Sequence, residues 1–217
     1  MTITWHGQSL FEITTSRGKN NQVSIVIDPF SEDLGLRIPK LEADIVLSTH
    51  EHYDHNNVKA VGGNPFLILG PGEYEIKEVF CQGIPAWHDD SQGKERGSVT
   101  IFTIEAEELR LCHLGDLGQK ELTSEQLERI GEVDILMIPV GGVYTISAKE
   151  AVKIMSQIEP KIIIPMHYAL PKLKPKLEGV DKFLKIMGIK KIEPLNKLTI
   201  KKKELSEEEA KIILLNP

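Results

Sequence analysis

At 217 residues the chain can bury a substantial core, and its 41% hydrophobic and 27% charged residues are ordinary for a globular protein. A net charge of −6 argues against general nucleic-acid binding, which usually shows a basic surplus. The opening MTITWHGQSL lacks the basic-then-apolar design of a signal peptide, and no apolar run reaches the ~18 residues of a membrane helix, so a soluble, cytoplasmic chain without membrane partners is expected.

The first half reads as strands at Ile3–Trp5, Leu10–Thr14, Val23–Ile27, Asp44–Ser48, Phe66–Leu69, Ile76–Cys81 and Val99–Ile104. Each is short, rich in branched residues and bounded by Gly, Pro, Asn or Asp. From Leu109 strands and helices alternate, with strand-length apolar runs at Leu109–His113, Val133–Ile138 and Lys161–Pro165. Thr123 with Gln126, and Ser147 with Glu150, have the spacing of capping boxes that open helices. After Ser147, the apolar residues Ala151, Ile154, Met155 and Ile158 recur at helical spacing and define one buried face. A further helix is expected over Val180–Met187, stopped by Gly188, followed by strands at Leu198–Lys202 and Ile212–Leu215. With no internal repeat or linker, residues 1–217 read as one mixed α/β domain, its sheets covered by helices. Cys81 and Cys112 fit neither a zinc-ribbon spacing nor a disulfide framework, and their apolar surroundings mark them as reduced core thiols.

Several polar residues fall at or just after strand-like runs: Asp28, His50, Asp116 and His167. The densest group is STHEHYDHN, Ser48–Asn56. In an extended segment His50 and His52 project to the same side, and a turn toward a helix lets Asp54 and His55 face a neighbouring point. Imidazoles with a carboxylate suit Zn²⁺ and can also hold Mn²⁺ or Fe²⁺. One catalytic ion needs about three protein ligands when a position stays open for water, so four ligand-type residues in one loop suggest two adjacent ions. Such a pair, roughly 3.5–4 Å apart, can activate a shared water. The competing readings are a solvated polar loop or a single structural zinc; no cysteine lies near to complete the latter.

On these residues the sequence resembles the metallo-β-lactamase superfamily of metal-dependent hydrolases. Its signature T-H-x-H-x-D-H after a strand is matched by Thr49, His50, His52, Asp54 and His55. The segment IVIDPF also matches, and His88 in PAWHDDSQGKERG, Asp116 in CHLGDLG and His167 in IIIPMHY follow in the family's order. The resemblance implies a four-layer αββα sandwich, an α/β (α+β) architecture with the site at one edge between two sheets. It also implies two divalent ions, zinc foremost and manganese or iron as alternatives. His50, His52 and His88 would hold one ion and Asp54, His55 and His167 the other, with Asp116 bridging. Asp54 would act catalytically as well, orienting the attacking hydroxide or accepting its proton. GPGEYEI, HDDSQGKERG, HLGDLG and PVGGVYTIS further resemble the branch containing L-ascorbate-6-phosphate lactonase.

Other residues carry two readings each. His113 can orient a ligand or simply pack; Arg96 can clamp an anionic group or carry surface charge; Tyr168 can donate to a developing oxyanion or pack. His6 reads mainly as ordinary, Glu73 and Tyr74 as structural, and Asp28 as a support for the ligand loop. Between Pro171 and Lys203 eleven lysines meet three acidic residues, by default a solvated face and alternatively a patch that attracts phosphorylated substrates or RNA. The expected function is metal-dependent hydrolysis of a small ester, lactone or phosphodiester, with an anionic or phosphorylated small molecule as one option. The alternatives are a nuclease or RNA-binding protein using the lysine-rich end, or a metal-binding scaffold without turnover. No G-x-S-x-G elbow or Cys–His pair offers another nucleophile.

Overall fold

The computed structural model describes residues 1–18, 21–206 and 210–217. Its strands, in chain order, are β1 (Thr2–Trp5), β2 (Phe11–Arg17), β3 (Asn21–Ile27), β4 (Leu41–Glu42), β5 (Ile45–Leu47), β6 (Val61–Gly62), β7 (Phe66–Ile68) and β8 (Gly72–Ile76). Then come β9 (Val79–Trp87), β10 (Ser98–Ala106), β11 (Leu109–His113), β12 (Ile135–Pro139), β13 (Ile162–Met166), β14 (Leu198–Thr199) and β15 (Lys211–Ile212). The α-helices are α1 (Ser124–Ile130), α2 (Ala148–Ile158) and α3 (Val180–Ile186).

The strands form a six-stranded sheet in the order β14-β1-β2-β3-β5-β7 and a seven-stranded sheet in the order β15-β13-β12-β11-β10-β9-β8. Each sheet is antiparallel in one part and parallel in the other: β3, β5 and β7 run together in the first, and β11, β12, β13 and β15 in the second. Successive side chains on a strand point to opposite faces, and the burial follows that period. Ile25 and Ile27 of β3, with Ile45 and Leu47 of β5, enter the core shared with Cys81, Ile101, Phe102 and Ile164 of the second sheet. Val26 and Val46 between them point the other way, to Leu10, Phe30, Leu34 and Leu41.

Both capping boxes form. Thr123 and Ser147 accept from the backbone N–H of Gln126 and Glu150, whose side chains return a bond to the cap residue's N–H. α1 packs on β9 and α2 on β12, with α3 against α2. All three α-helices therefore gather with the second sheet. The outer face of the first sheet has a thinner cover: the 3₁₀ turns Glu32–Leu34 and Val58–Ala60 and the small β4–β6 ribbon.

Two expectations need correcting. Ile76–Cys81 is not one strand. The chain reverses at Lys77 and Glu78, whose φ angles of 53° and 65° make the two-residue turn that matches the twist of a hairpin. β8 and the longer β9 lie either side of it. The tail strands are also shorter than expected: β14 stops at Thr199 before a 3₁₀ turn at Lys202–Glu204, and Leu215 makes only an isolated bridge with Leu195.

Candidate metal centre

Four strand ends converge at one edge of the sandwich. The loop after β5 carries His50, His52, Asp54 and His55, while His88 follows β9, Asp116 follows β11 and His167 follows β13. Their donor atoms fall into two groups, His50/His52/His88 and Asp54/His55/Asp116/His167, each with all its donors within 4.8 Å of one another. Asp116 stands between the groups. Its Oδ1 is 3.2 Å from His55 Nε2, and its Oδ2 is 3.2 Å from His167 Nε2 and 3.6 Å from His88 Nε2.

Hydrogen bonds behind the rings decide which nitrogens face the centre. Asp28 is fully buried at the end of β3; its carboxylate accepts from the Thr49 N–H, the Thr49 hydroxyl and His55 Nδ1, each at 2.8 Å. His55 Nδ1 thus donates to Asp28, and Nε2 is the nitrogen that faces Asp116. Because the Thr49 hydroxyl donates to Asp28, it accepts from His50 Nδ1 at 3.0 Å, and His50 Nε2 faces inward. That nitrogen lies 3.0 Å from His52 Nδ1.

The electrostatics of this cluster fit a cation. Burial would raise the Asp116 carboxyl, but the His167 and His55 rings outweigh it and hold the group well below the usual carboxylate range. Burial would likewise lower the His55 ring, yet Asp116 and Asp28 keep it well above the usual histidine value. His50 is pushed by burial, with the His55 ring adding to it, down to about 3, because the pull of Asp116 and Asp28 is too weak there to compensate. His55 Nε2, His88 Nδ1, Asp116 Oδ1 and His167 Nδ1 are buried polar atoms without a hydrogen-bond partner. The orphans His55 Nε2 and Asp116 Oδ1 face each other at 3.2 Å, and imidazoles gathered around a carboxylate in this way are the donor set of a borderline divalent ion.

Further residues fix these side chains in place. Asp89, next to His88, accepts from the backbone N–H groups of Ser91, Gly93, Glu95 and Arg96 and from the Ser91 hydroxyl, which shapes the whole loop 88–97. Gln119 Oε1 accepts from the Trp87 N–H just before His88. Gln8 is buried between β1 and β2. Its Nε2 donates to Asp54 Oδ2 at 3.1 Å, its carbonyl accepts the His167 N–H at 3.0 Å, and its Oε1 finds no partner. Gln8, Asp28 and His167 all have left-handed backbone, with φ of 50°, 51° and 51°. Strain of this kind concentrates at functional sites.

A cavity of about 500 Å³ opens onto the cluster, lined by His52, Asp54, His88, Asp116 and His167 together with Gln8, Tyr53, Arg96, Tyr144 and Lys174. Tyr168 does not line it; this ring is buried 5.0 Å from Trp5, which assigns it to packing rather than to an oxyanion. His113 contacts no ligand side chain. Gly115 N–H donates to its Nδ1, so Nε2–H donates to Ser9 O, and the ring stands edge-on to Phe11. It shapes the turn leading to Asp116 from below. His6 pairs with Glu12 away from the cavity, and Tyr74 packs on Phe66. Lysines 182, 191 and 202 pair with Glu178, Glu193 and Asp134, whereas Lys174 reaches the cavity. Sequence reasoning passed over Gln8, Asp89 and Lys174. The only signal for Asp89 was its place beside His88 and for Lys174 its place in the lysine-rich stretch 171–203, while Gln8 offered none.

Comparison with known proteins agrees with this geometry. Residues 2–167 match the family pattern described as "Beta-lactamase superfamily domain". A UPF0173 metal-dependent hydrolase of Staphylothermus marinus is 31% identical, over 76% of this chain and 82% of its own. Another, from Thermococcus onnurineus, is 29% identical over 85% of this chain and 91% of its own. A crystal structure from Thermotoga maritima, described as a candidate zinc-dependent hydrolase of the metallo-β-lactamase superfamily, is 36% identical. It superposes with a TM-score of 0.79 over 99% of this chain and 98% of that one. Among the described residues, no helix is long and apolar enough to cross a membrane.

Proposed function

Since the chain belongs to the metallo-β-lactamase superfamily of metal-dependent hydrolases, we propose that it is itself a hydrolase holding two divalent ions, zinc foremost, and that it cleaves a small ester, lactone or phosphodiester. The observation that carries this reading is the pair of donor groups joined by Asp116 at the floor of an open cavity. His50, His52 and His88 would hold one ion and Asp54, His55 and His167 the other, with Asp116 shared. When bound, such ions supply a hydroxide nucleophile near neutral pH and polarise the electrophile's oxygen.

The rest of the chemistry belongs to the chain. Asp54 Oδ2 is fixed by the Gln8 amide, which leaves Oδ1 to orient the attacking water and accept its proton. The Asp28–His55 and Thr49–His50 bonds hold those rings in one tautomer and one orientation. The cavity is of a size for a small molecule.

The test is to purify the protein, count metal per chain, and assay phosphodiester, lactone and thioester substrates alongside His52→Ala and Asp116→Ala. The proposal expects metal in the wild type, less in both variants, and turnover of at least one substrate class that both variants lose. Wild-type turnover in both variants would place the chemistry elsewhere.

A further inference from the structure

The cavity presents groups that the ligand scheme leaves unused. Its two acidic lining residues, Asp54 and Asp116, are already committed as ligands, whereas its two cations, Arg96 and Lys174, are exposed and have no carboxylate partner among the described residues. Arg96 is nonetheless held in place. Its backbone N–H is tied to Asp89 at 2.8 Å, and its guanidinium carbon sits 5.0 Å over the Tyr144 ring. Tyr144 follows Val143, a β-branched residue at φ 63°, where such side chains are strained. Backbone strain next to a cavity marks ligand clamps. Lys174 is anchored from another direction, its N–H donating to Leu34 O at 2.9 Å.

A chain of net charge −6 repels anions on the whole, so two unpaired cations at one mouth are a local reversal of sign. Two divalent ions, held by Asp54, Asp116 and the histidines, would add to it. The planar fork of Arg96 matches the paired oxygens of a phosphate or carboxylate, and Lys174 adds a point charge.

We propose that the substrate is an anionic ester or lactone whose oxyanion group, phosphate or carboxylate, is recognised by Arg96 and Lys174. This rests on the hydrolase reading of the same site and narrows its substrate class. Arg96 and Lys174 bind rather than react; the bond to be hydrolysed lies over the metal groups deeper in the cavity.

The test is calorimetric titration of the metal-loaded protein with phenyl phosphate, benzoate and neutral benzamide. One or both anions should bind and benzamide should not, with affinity falling as salt is added. The tighter anion identifies the source of the oxyanion. Arg96→Ala and Lys174→Ala should each weaken anion binding about tenfold, the value of one charged hydrogen bond, with metal content unchanged. Lys174→Arg should keep it. Benzamide binding as well as the anions, or an unweakened double Ala variant, overturns the proposal, since the anion would then be held by the ions alone. Absence of metal from the wild type counts against the hydrolase reading, while the same titration still reads the two side chains.

Discussion

Asp28 Oδ2 lies 2.8 Å from His55 Nδ1, and both side chains are wholly excluded from solvent. One carboxylate thereby sets the tautomer of a ligand and, through Thr49, that of a second. Asp28→Asn removes the charge that strengthens His55 as a donor. Metal affinity should fall about 10- to 100-fold, the usual loss when a ligand's outer partner is removed. Competition against a chelator measures it, and an unchanged affinity would refute this role.

Gln8 holds Asp54 without belonging to either donor group. Gln8→Ala should leave the metal count near that of the wild type and lower kcat about 10- to 100-fold, since a misplaced reacting group is costly even at small displacements. Loss of metal together with activity would instead make Gln8 a structural support.

Two glycines lie directly against ligand backbone. A Cβ on Gly118 would meet His88 O at 2.2 Å, and one on Gly141 would meet His167 O at 2.1 Å. Neither obstacle is a flexible side chain, so the backbone itself must shift. Gly118→Ala and Gly141→Ala should each cost about 1–3 kcal/mol of stability, measured by urea unfolding, and should weaken metal binding. Full metal affinity in either variant would show that the ligand backbone can yield.

Val143 stores strain that a glycine would not. Left-handed backbone at a β-branched residue costs of order 1–3 kcal/mol, and glycine gives back at most about 1 kcal/mol through its freer unfolded state. Val143→Gly should therefore unfold at higher urea concentration than the wild type. A lower midpoint would mean that the Val143 side chain contributes more by its contacts than its backbone costs.

Burial pushes the Cys81 thiol up to about 12 and raises that of Cys112 as well. Both should resist a thiol-disulfide reagent in the native protein and react at two per chain once unfolded. Their folded pKa values exceed the unfolded one, so above about pH 8.5 the unfolded chain binds fewer protons and stability should fall as pH rises. Unfolding midpoints that stay level from pH 8 to 10 would contradict this.

The sequence makes the cluster legible because each member is a chemically distinctive residue at or soon after the end of an apolar run. His50 to His55 announce themselves by density, and His88, Asp116 and His167 by order. Gln8 stays hidden because its role depends on a contact across the fold with Asp54, and Lys174 cannot be told from the other ten lysines of its stretch until the fold brings it to the cavity. The Lys77–Glu78 reversal hides for a different reason. Two charged residues take the left-handed conformations that Asn-Gly would have advertised. The thin cover on the first sheet is equally silent, since its 3₁₀ turns are only three residues long, too short for a periodic apolar pattern.

The donors come from strands that lie far apart along the chain and in both sheets: the loop after β5 on one side, the ends of β9, β11 and β13 on the other. Neither sheet alone can assemble a full coordination shell. A cation would therefore act as a rivet set after the plates are aligned, doing little to guide assembly and much to slow its reversal.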